Sequence, residues 1–250
     1  MMVAANEPKR ILITGVGRWP GDGKPGLGAS LAYHLADQGH TIVINYRSDQ
    51  ASATRLARTI RERSGTALPV RCDVTDTHQV ELLAETIQAE LGGLDVLINN
   101  AGGFVFKDYR RLTTDEWEDQ LASTASATFY VSQAMLPMLR RQAGRIINIS
   151  DAGADRITAR PRTLPYHIGK MGVLMITKTM ARAEAEHSVT VNALLPGVLD
   201  NSEPLPPAAD IPAGRHGTAE DILAAVNYLL SDQAGYTTGS FIQVGGGWNL

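Results

Sequence analysis

The sequence predicts an α/β fold: a single doubly wound, Rossmann-type domain with a parallel sheet of about seven strands and helices on both faces. Short apolar runs of strand length, rich in β-branched residues, alternate with longer segments of helical periodicity from Arg10 almost to the C-terminus. Most of these runs are apolar at successive positions, which is typical of parallel strands that are buried on both faces. Because no low-complexity linker interrupts the 250 residues, residues 1–250 are expected to form one domain.

The individual elements follow from the same patterns in chain order. Strands are predicted at Arg10–Thr14, Thr41–Tyr46, Leu68–Cys72, Val96–Asn99, Arg145–Ser150, Thr190–Leu194 and Phe241–Val244. Helices are predicted at Leu27–Gln38, Gln50–Arg63, Thr77–Leu91, Thr114–Arg141, Pro165–Glu186 and Ala219–Ser231. Four prolines between positions 204 and 212 stop helix propagation after the sixth strand. Residues 198–217 are therefore predicted to form a substrate loop, because loops at the carboxyl ends of strands cover ligands in such sheets.

Composition and charge exclude several classes of protein. The 23 Lys and Arg residues against 26 Asp and Glu residues leave a net charge of −3, which disfavours electrostatic binding to nucleic acid or to a membrane surface. Cys72 is the only cysteine, so no internal disulfide or CxxC site is possible. The six histidines lack metal-ligand spacing, and no run reaches the roughly 18 apolar residues of a membrane span. We expect a cytoplasmic protein that binds a small molecule and no metal.

A glycine-rich segment follows the first predicted strand. It starts at Thr14-Gly15 and continues to Gly28, where the first predicted helix begins. Glycine at such a turn lets the backbone approach a pyrophosphate, whose charge is stabilised by the free amides at the start of the helix. An isolated glycine-rich string also occurs in ordinary surface loops, but the position between strand and helix favours phosphate binding.

The end of the second strand predicts which dinucleotide is bound. An acidic residue there would accept hydrogen bonds from the ribose hydroxyls of NAD, but the sequence is Tyr46-Arg47-Ser48. Arg47 can instead pair with a 2′-phosphate, which favours NADP(H), although a solvated surface arginine is the alternative. Asp73 is either a cap or turn residue or an acceptor for the adenine amino group.

Tyr166 and Lys170 form a pair with four-residue spacing near the start of a predicted helix. This spacing places both side chains on one helix face. An ammonium group beside a phenol stabilises the phenolate, so we expect Lys170 to lower the pKa of Tyr166 toward neutrality, as a proton donor requires. His167 is expected to point away from this face, because adjacent helix positions differ in direction.

Together these motifs resemble the short-chain dehydrogenase/reductase family over nearly the whole chain. The motifs that carry the resemblance are Thr14-Gly15, Asn99–Gly102, the strand ending at Ser150, the Tyr166/Lys170 pair and Val191–Gly197. The resemblance implies that Tyr166 is the general acid/base, that Lys170 binds the nicotinamide ribose, and that the protein is a homotetramer or homodimer. The predicted cofactor-binding residues are Gly15, Arg18, Gly26, Leu27, Gly28, Tyr46, Arg47, Ser48, Asp73, Val74, Asn100, Ala101, Gly102, Tyr166, Lys170, Pro196, Gly197 and Leu199.

Two departures from the family pattern affect these expectations. Residues 19–25 lengthen the phosphate turn, so Gly26 and Gly28 are expected to supply its later glycines, and Lys24 is either a phosphate contact or part of an exposed bulge. Thr124 occupies the position of a family asparagine in a water-linked proton relay. A threonine is shorter, which is expected to weaken that relay.

The catalytic serine of the family aligns with Asp151 rather than Ser150. An ionised Asp151 cannot donate a hydrogen bond to a carbonyl, but it can accept one from a ring NH or an amino group. Asp151 followed by Arg160-Pro161 looks like the pteridine-reductase branch of the family. The alternative is that Ser150 performs the role of the serine and Asp151 lies on the surface.

The predicted function is NADPH-dependent reduction of a small carbonyl compound, a ketone or 3-oxoacyl substrate. Tyr166 would deliver the proton, and Asp151 or Ser150 would orient the substrate. One alternative is reduction of a pterin or related C=N heterocycle with Asp151. Another is a nucleotide-binding sensor without turnover, which Thr124 and the enlarged turn suggest.

Overall fold

A computed structural model describes residues 7–19 and 23–249, and it confirms the predicted fold class. Seven parallel strands form one sheet in the order β3-β2-β1-β4-β5-β6-β7. The strands are β1 Arg10–Ile13, β2 Thr41–Tyr46, β3 Thr66–Arg71, β4 Val96–Asn99, β5 Arg145–Ile149, β6 Thr190–Pro196 and β7 Phe241–Val244. Each strand lies within two residues of its predicted bounds.

The sheet is covered on both faces, as the continuous apolar runs predict. Ile11 and Ile13 of β1 belong to one buried cluster, whereas Leu12 between them belongs to a second. Successive side chains of a strand point to opposite faces, so every residue of this short run is buried. Each such side chain contributes about 1.5 to 3 kcal/mol when it leaves water.

One predicted helix, Thr114–Arg141, is not continuous in the structure. The helices are α1 Leu27–Asp37, α2 Gln50–Glu62, α3 Thr77–Leu91, α4 Thr114–Leu121, α5 Ala127–Arg141, α6 Leu164–Glu184 and α7 Ala219–Leu230. The predicted helix at 114–141 is interrupted by a π-helical segment, Ala122–Ser126, between α4 and α5. Apolar periodicity does not reveal one wider turn. Such π segments occur frequently at functional sites.

The topology places the glycine-rich turn and the Asn100 segment side by side. Strand order reverses at β1, which pairs with β2 on one side and with β4 on the other. Ligands bind at such a switch point, outside the carboxyl ends of the strands. Residues 198–217 form the loop after β6, and its base is closed by hydrogen bonds from Asp200 N to Gly217 O and from Gly217 N to Val198 O, both 2.9 Å.

Candidate active site

The turn after β1 is packed so tightly that only glycine fits at two positions. Gly15 has φ +63°, and a Cβ atom there would lie 2.6 Å from the Cα of Ala101. A Cβ atom on Gly28 would lie 2.5 Å from Nδ2 of Asn100. Helix α1 begins after Gly26, whose residue type leaves the first amides without a side-chain cap. These amides can therefore receive a phosphate group.

Three polar side chains hold this turn in place. The hydroxyl of Thr14 accepts hydrogen bonds from the amides of Asn100 and Ala101 at 3.0 and 3.1 Å. The side-chain amide of Asn100 donates to the carbonyls of Thr14 and Gly15, both at 3.0 Å. The buried Asn45 accepts from the amide of Gly15 at 3.1 Å. The role of Asn45 is not visible in the sequence, because its partner is 30 residues away.

The insertion in the turn lies against the substrate loop. The amide of Gly26 donates to the carbonyl of Arg18 at 2.8 Å and so closes the base of the excursion. Lys24 pairs with Asp200 at 2.5 Å, and Arg18 lies 3.5 Å from Glu203. The structure therefore places Lys24 and Arg18 against the loop after β6, whereas residues 20–22 lie outside the described residues.

A cleft of about 690 Å³ runs along the carboxyl edge of the sheet. The predicted cofactor residues that line it are Gly15, Gly26, Leu27, Gly28, Arg47, Asp73, Val74, Asn100, Ala101 and Gly102. The other predicted residues are outside this lining: Arg18, Tyr46, Ser48, Tyr166, Lys170, Pro196, Gly197 and Leu199. Of these, Arg18 faces the substrate loop, Tyr46 is buried, and Ser48 is exposed beside Arg47. The volume and lining of the cleft suit an extended dinucleotide.

Arg47 and Asp73 lie at the end of the cleft near β2 and β3. The side chain of Arg47 is exposed, and its carbonyl accepts a hydrogen bond from Arg71 at 3.2 Å. Oδ1 of Asp73 accepts from the amide and hydroxyl of Thr75 at 3.0 and 2.7 Å. Asp73 is thus a turn residue, and it also faces the cleft.

The predicted nicotinamide-end residues lie after β6. Pro196 accepts a hydrogen bond from the amide of Ala152 at 2.8 Å. A Cβ atom on Gly197 would lie 2.6 Å from the Cα of Gly245, so the two backbones are in direct contact. Leu199 is buried and forms an isolated bridge with Gly217.

The structure brings Asp151, not Ser150, to the phenol of Tyr166. The Tyr166 hydroxyl donates to Oδ2 of Asp151 at 3.1 Å. Ser150 is buried, and its hydroxyl donates to the carbonyl of Lys170 at 2.9 Å. In this arrangement Asp151 contacts the phenol and Ser150 contacts the backbone of α6, which favours Asp151 over Ser150 as the residue at the site.

Lys170 is buried beside the phenol. Its Nζ donates to the carbonyl of Ile149 at 2.8 Å and lies 5.7 Å from the centre of the Tyr166 ring. Burial lowers the pKa of Lys170 to about 8, although the charge of Asp151 opposes this change. The ammonium form is therefore available at neutral pH and is lost only above about pH 8.

The prediction that Lys170 lowers the pKa of Tyr166 toward neutrality is wrong. Burial raises the pKa of Tyr166 well above its usual value, and the negative charge of Asp151 and its hydrogen bond raise it further. Desolvation and the neighbouring carboxylate, which both depend on the fold, set the direction of this pKa change. Tyr166 is therefore a protonated phenol at neutral pH, the form that a proton donor needs.

The side chain of His167 also lies closer to the candidate site than predicted. Its Nε2 lies 3.5 Å from Oδ1 of Asp151, and its Nδ1 lies 3.1 Å from the carbonyl of Thr163. Asp151 belongs to the loop that crosses the first turn of α6. A carboxylate in that place reaches both Tyr166 and His167, although their side chains leave the helix in different directions.

The π segment packs closely on α6 at Gly169. A Cβ atom on Gly169 would lie 1.9 Å from the hydroxyl of Thr124, which itself donates to the carbonyl of Gln120 at 2.5 Å. Thr124 thus satisfies its hydroxyl within its own helix. A Cβ atom on Gly102 would lie 3.4 Å from Nζ of Lys170 and 3.5 Å from the Thr124 methyl group. Gly102 therefore connects the cleft to the Tyr166/Lys170 pair.

A dinucleotide-sized cleft at the switch point of a parallel sheet, next to a partly buried phenol and a buried ammonium, defines a nicotinamide-dependent oxidoreductase of the Rossmann type. Residues 23–249 match a family model described as enoyl-(acyl carrier protein) reductase. The chain belongs to the short-chain dehydrogenase/reductase family. No helix within the described residues is long and apolar enough to cross a membrane.

Individual relatives cover nearly the whole chain. The chain is 33% identical to 3beta-hydroxysteroid dehydrogenase 1 of Eggerthella lenta, over 97% of this chain and 94% of that protein. It is also 33% identical to the 3-oxoacyl-(acyl-carrier-protein) reductase FabG of Staphylococcus aureus, over 96% and 97%. The solved short-chain dehydrogenase/reductase of Serratia marcescens has a TM-score of 0.87 at 28% identity, covering 97% of this chain and 98% of that one. None of these relatives specifically supports the pteridine-reductase branch.

Proposed function

We propose that the protein is an NADPH-dependent reductase in which Tyr166 donates a proton to a small carbonyl substrate, a ketone or 3-oxoacyl compound. The observation that carries the proposal is the group of Tyr166, Asp151 and Lys170 beside the cleft. The phenol is hydrogen-bonded to Asp151 at 3.1 Å, and the Lys170 ammonium lies 5.7 Å from the centre of its ring. The curated relatives include reductases and dehydrogenases of oxo and hydroxyl compounds by name.

The residues of the cleft fit NADPH. Gly15 and Gly28 leave no room for a Cβ atom, and the uncapped start of α1 suits the pyrophosphate. Arg47 would hold a 2′-phosphate, and Lys170 would hold the nicotinamide ribose. When bound, NADPH supplies the hydride for reduction of the carbonyl carbon.

The protein's own residues supply the proton and the orientation. Tyr166 holds a proton at its hydroxyl, because its raised pKa keeps the phenol protonated at neutral pH. The ammonium of Lys170 stabilises the phenolate that remains after this proton has passed to the developing alkoxide. In this structure the proton points to Oδ2 of Asp151 at 3.1 Å, so the hydroxyl would turn away from Asp151 to donate to the substrate.

Reduction of a pterin or related C=N heterocycle is the second candidate. The observation that favours it is the carboxylate of Asp151 at the phenol, where a serine would donate to a carbonyl oxygen. A carboxylate accepts hydrogen bonds from ring NH and amino groups. Asp151 is about one-quarter exposed at its side chain, so a substrate can reach it.

Substitution of Tyr166 by Phe tests the proposed function. The variant keeps the ring and its packing but removes the transferable proton, so we expect most turnover to be lost while NADPH still binds with its wild-type affinity. Fluorescence titration measures the binding, and oxidation of NADPH by a panel of ketones, 3-oxoacyl thioesters and dihydropteridines measures the turnover. Wild-type rates in the variant would exclude Tyr166 as the acid. Tight NADPH binding by the wild type with no acceptor reduced would favour a sensor.

Substitution of Asp151 by Ser separates the two substrate classes. For a carbonyl reductase, the serine hydroxyl can donate to the substrate oxygen, so ketone reduction is expected to be kept or improved. For a heterocycle reductase, the acceptor for ring NH groups is lost, and the dihydropteridine rate is expected to fall at least about tenfold. Unchanged rates for both classes would show that Asp151 does not contact the substrate.

A further inference from the structure

A strip of exposed aromatic rings leads away from the phenol of Tyr166. The ring of Phe104 meets the ring of Tyr166 edge to face, with 4.9 Å between the centroids. The ring of Phe106 follows at 6.4 Å from that of Phe104 and nearly parallel to it. Phe104 and Phe106 are 46% and 51% exposed. Adjacent rings that are exposed beside a candidate active site indicate a surface that a ligand covers.

The strip ends at a cluster of positive charge. The guanidinium of Arg162 lies 5.5 Å from the centroid of the Phe106 ring. A cavity of about 770 Å³ opens there, and its lining residues are Phe106, Lys107, Asp108, Arg110, Arg111 and Arg162. Four of these six side chains are cationic and one is anionic.

Two of the four cations are already neutralised. Lys107 pairs with Glu116 at 2.8 Å, and Arg110 pairs with Asp108 at 2.9 Å. Arg111 and Arg162 have no ion-pair partner among residues 7–19 and 23–249. The cavity therefore presents two guanidinium groups outside any ion pair, although the charge of Arg162 also acts on Asp108 and helps to lower the pKa of that carboxyl. Guanidinium groups suit the planar, multidentate binding of a carboxylate or phosphate.

The backbone holds this cluster close to Tyr166. The amide of Lys107 donates to the carbonyl of Arg162, and the amide of Tyr109 donates to the carbonyl of Pro161, both at 2.9 Å. These bonds join the segment after β4 to the segment just before α6. Since Tyr166 lies in the first turn of α6, the rings and the arginines keep a defined position relative to the phenol.

We propose that the substrate of this reductase is a planar aromatic carbonyl compound that carries an anionic group, with its ring on Phe104 and Phe106 and its anion at Arg162 and Arg111. This inference rests on the proposed function, since it places the reacting carbonyl at Tyr166. The anion is a carboxylate or a phosphate, because both match the guanidinium fork. The ring centroids of Tyr166 and Phe104 are 4.9 Å apart, those of Phe104 and Phe106 are 6.4 Å apart, and the guanidinium of Arg162 lies 5.5 Å from the Phe106 centroid. An anion two rings from the carbonyl therefore fits this series of distances better than an anion on the same ring.

Matched acid and ester ligands test the proposal. The probes are 4-acetylbenzoate and 4′-acetylbiphenyl-4-carboxylate, each with its methyl ester, and 4-acetylphenyl phosphate as the phosphate arm. Affinity is measured by calorimetry on the Tyr166→Phe variant saturated with NADPH, so the result does not depend on turnover. We expect the biphenyl acid to bind at least about tenfold more tightly than its ester, and the one-ring acid to show a smaller preference.

Charge-removing variants show whether the arginines cause the preference. Arg162→Gln is expected to lower the acid-over-ester affinity ratio about tenfold, and Arg111→Gln is expected to lower it by a smaller factor. Arg156→Gln is the matched control, because Arg156 is exposed in the segment that precedes α6 and its side chain forms no ion pair within residues 7–19 and 23–249. In that control the ratio should stay at the wild-type value.

The outcomes separate this inference from the proposed function. Equal affinity for acid and ester, or an equal loss in the Arg156 and Arg162 variants, would overturn the inference. If a 3-oxoacyl group on an acidic carrier protein were reduced faster than the same group on pantetheine, and only with Arg162 intact, the cluster would serve a protein partner and the inference would be wrong. A wild-type rate in the Tyr166→Phe variant would overturn the proposed function, yet the affinity ratios would still decide the anion site.

Discussion

Gly169 lies between Tyr166 and Lys170 on α6, where the helix presses on the π segment. A Cβ atom added there would lie 1.9 Å from the hydroxyl of Thr124 and 2.9 Å from its Cβ. Gly169→Ala therefore forces α6 and the segment at 122–126 apart. Tyr166 and Lys170 would move with the helix, and their distances to the cleft would increase.

The size of the effect follows from two opposing contributions. Overpacking of this severity costs about 3 kcal/mol, the upper part of the usual range, whereas replacing a helical glycine by alanine returns about 1 kcal/mol. The free energy of unfolding is then expected to fall by about 2 kcal/mol, which lowers Tm by about 4 to 8 °C for a chain of this size. Turnover should fall about tenfold or more, because a displacement of about 1 Å can cost a factor of 100.

Thermal unfolding followed by circular dichroism, together with NADPH oxidation, measures both effects. Gly172→Ala is the control on the same helix, because its Cβ atom would meet only the methyl group of Ala125, at 3.0 Å. This variant should stay within about 1 kcal/mol of wild type. Adding Thr124→Ala to Gly169→Ala removes the closest contact and should recover part of the loss. A Gly169→Ala protein with the wild-type Tm and turnover would refute the packing argument.

Three other predictions concern charged groups. Because burial lowers the pKa of Lys170 to about 8, the reduction rate should fall above pH 8 as the ammonium is lost, and a rate that stays flat to pH 10 would contradict this. Arg47→Leu should reduce the preference for NADPH over NADH about tenfold in initial-rate kinetics, whereas an unchanged preference would remove Arg47 from the cofactor site. Asp95→Asn should cost about 1 to 3 kcal/mol at pH 7 in urea unfolding, because Arg10 donates to this carboxylate at 2.7 and 2.8 Å. Burial raises the pKa of Asp95, but the hydrogen bonds from Arg10 outweigh it, so the pKa of this carboxyl is lowered in the folded protein. The difference in unfolding free energy between wild type and Asp95→Asn should therefore disappear as the pH falls through this lowered pKa.

The outer limits of most elements could be predicted from local patterns. The strand at Val96–Asn99 and the helix at Thr77–Leu91 have the bounds that apolar runs and capping residues predict. Periodicity could not predict the interruption at Ala122–Ser126, because a π turn changes the direction of a helix without changing which of its residues are apolar. The interrupted segment packs against Gly169, about 45 residues further along the chain, and this contact is not visible in the local sequence pattern.

Motif spacing was sufficient to select Tyr166, Lys170 and the glycine-rich turn as candidates, but it left Ser150 and Asp151 undecided. The structure decides their positions because β5 ends at Ile149, which turns Ser150 toward α6 and Asp151 toward the phenol. The same loop places the carboxylate of Asp151 within 3.5 Å of His167, although helix geometry alone predicts that His167 points away from the face of Tyr166.

The sequence alone determined the fold class, the glycine turn and the spacing of Tyr166 and Lys170, because each depends on residues that are close in the chain. Only the tertiary structure decided the contacts between distant segments: the insertion against the substrate loop, Asn45 at the phosphate turn, and the raised pKa of Tyr166. The physical reason is that packing, desolvation and charge depend on distances in space, which residue type and spacing do not specify.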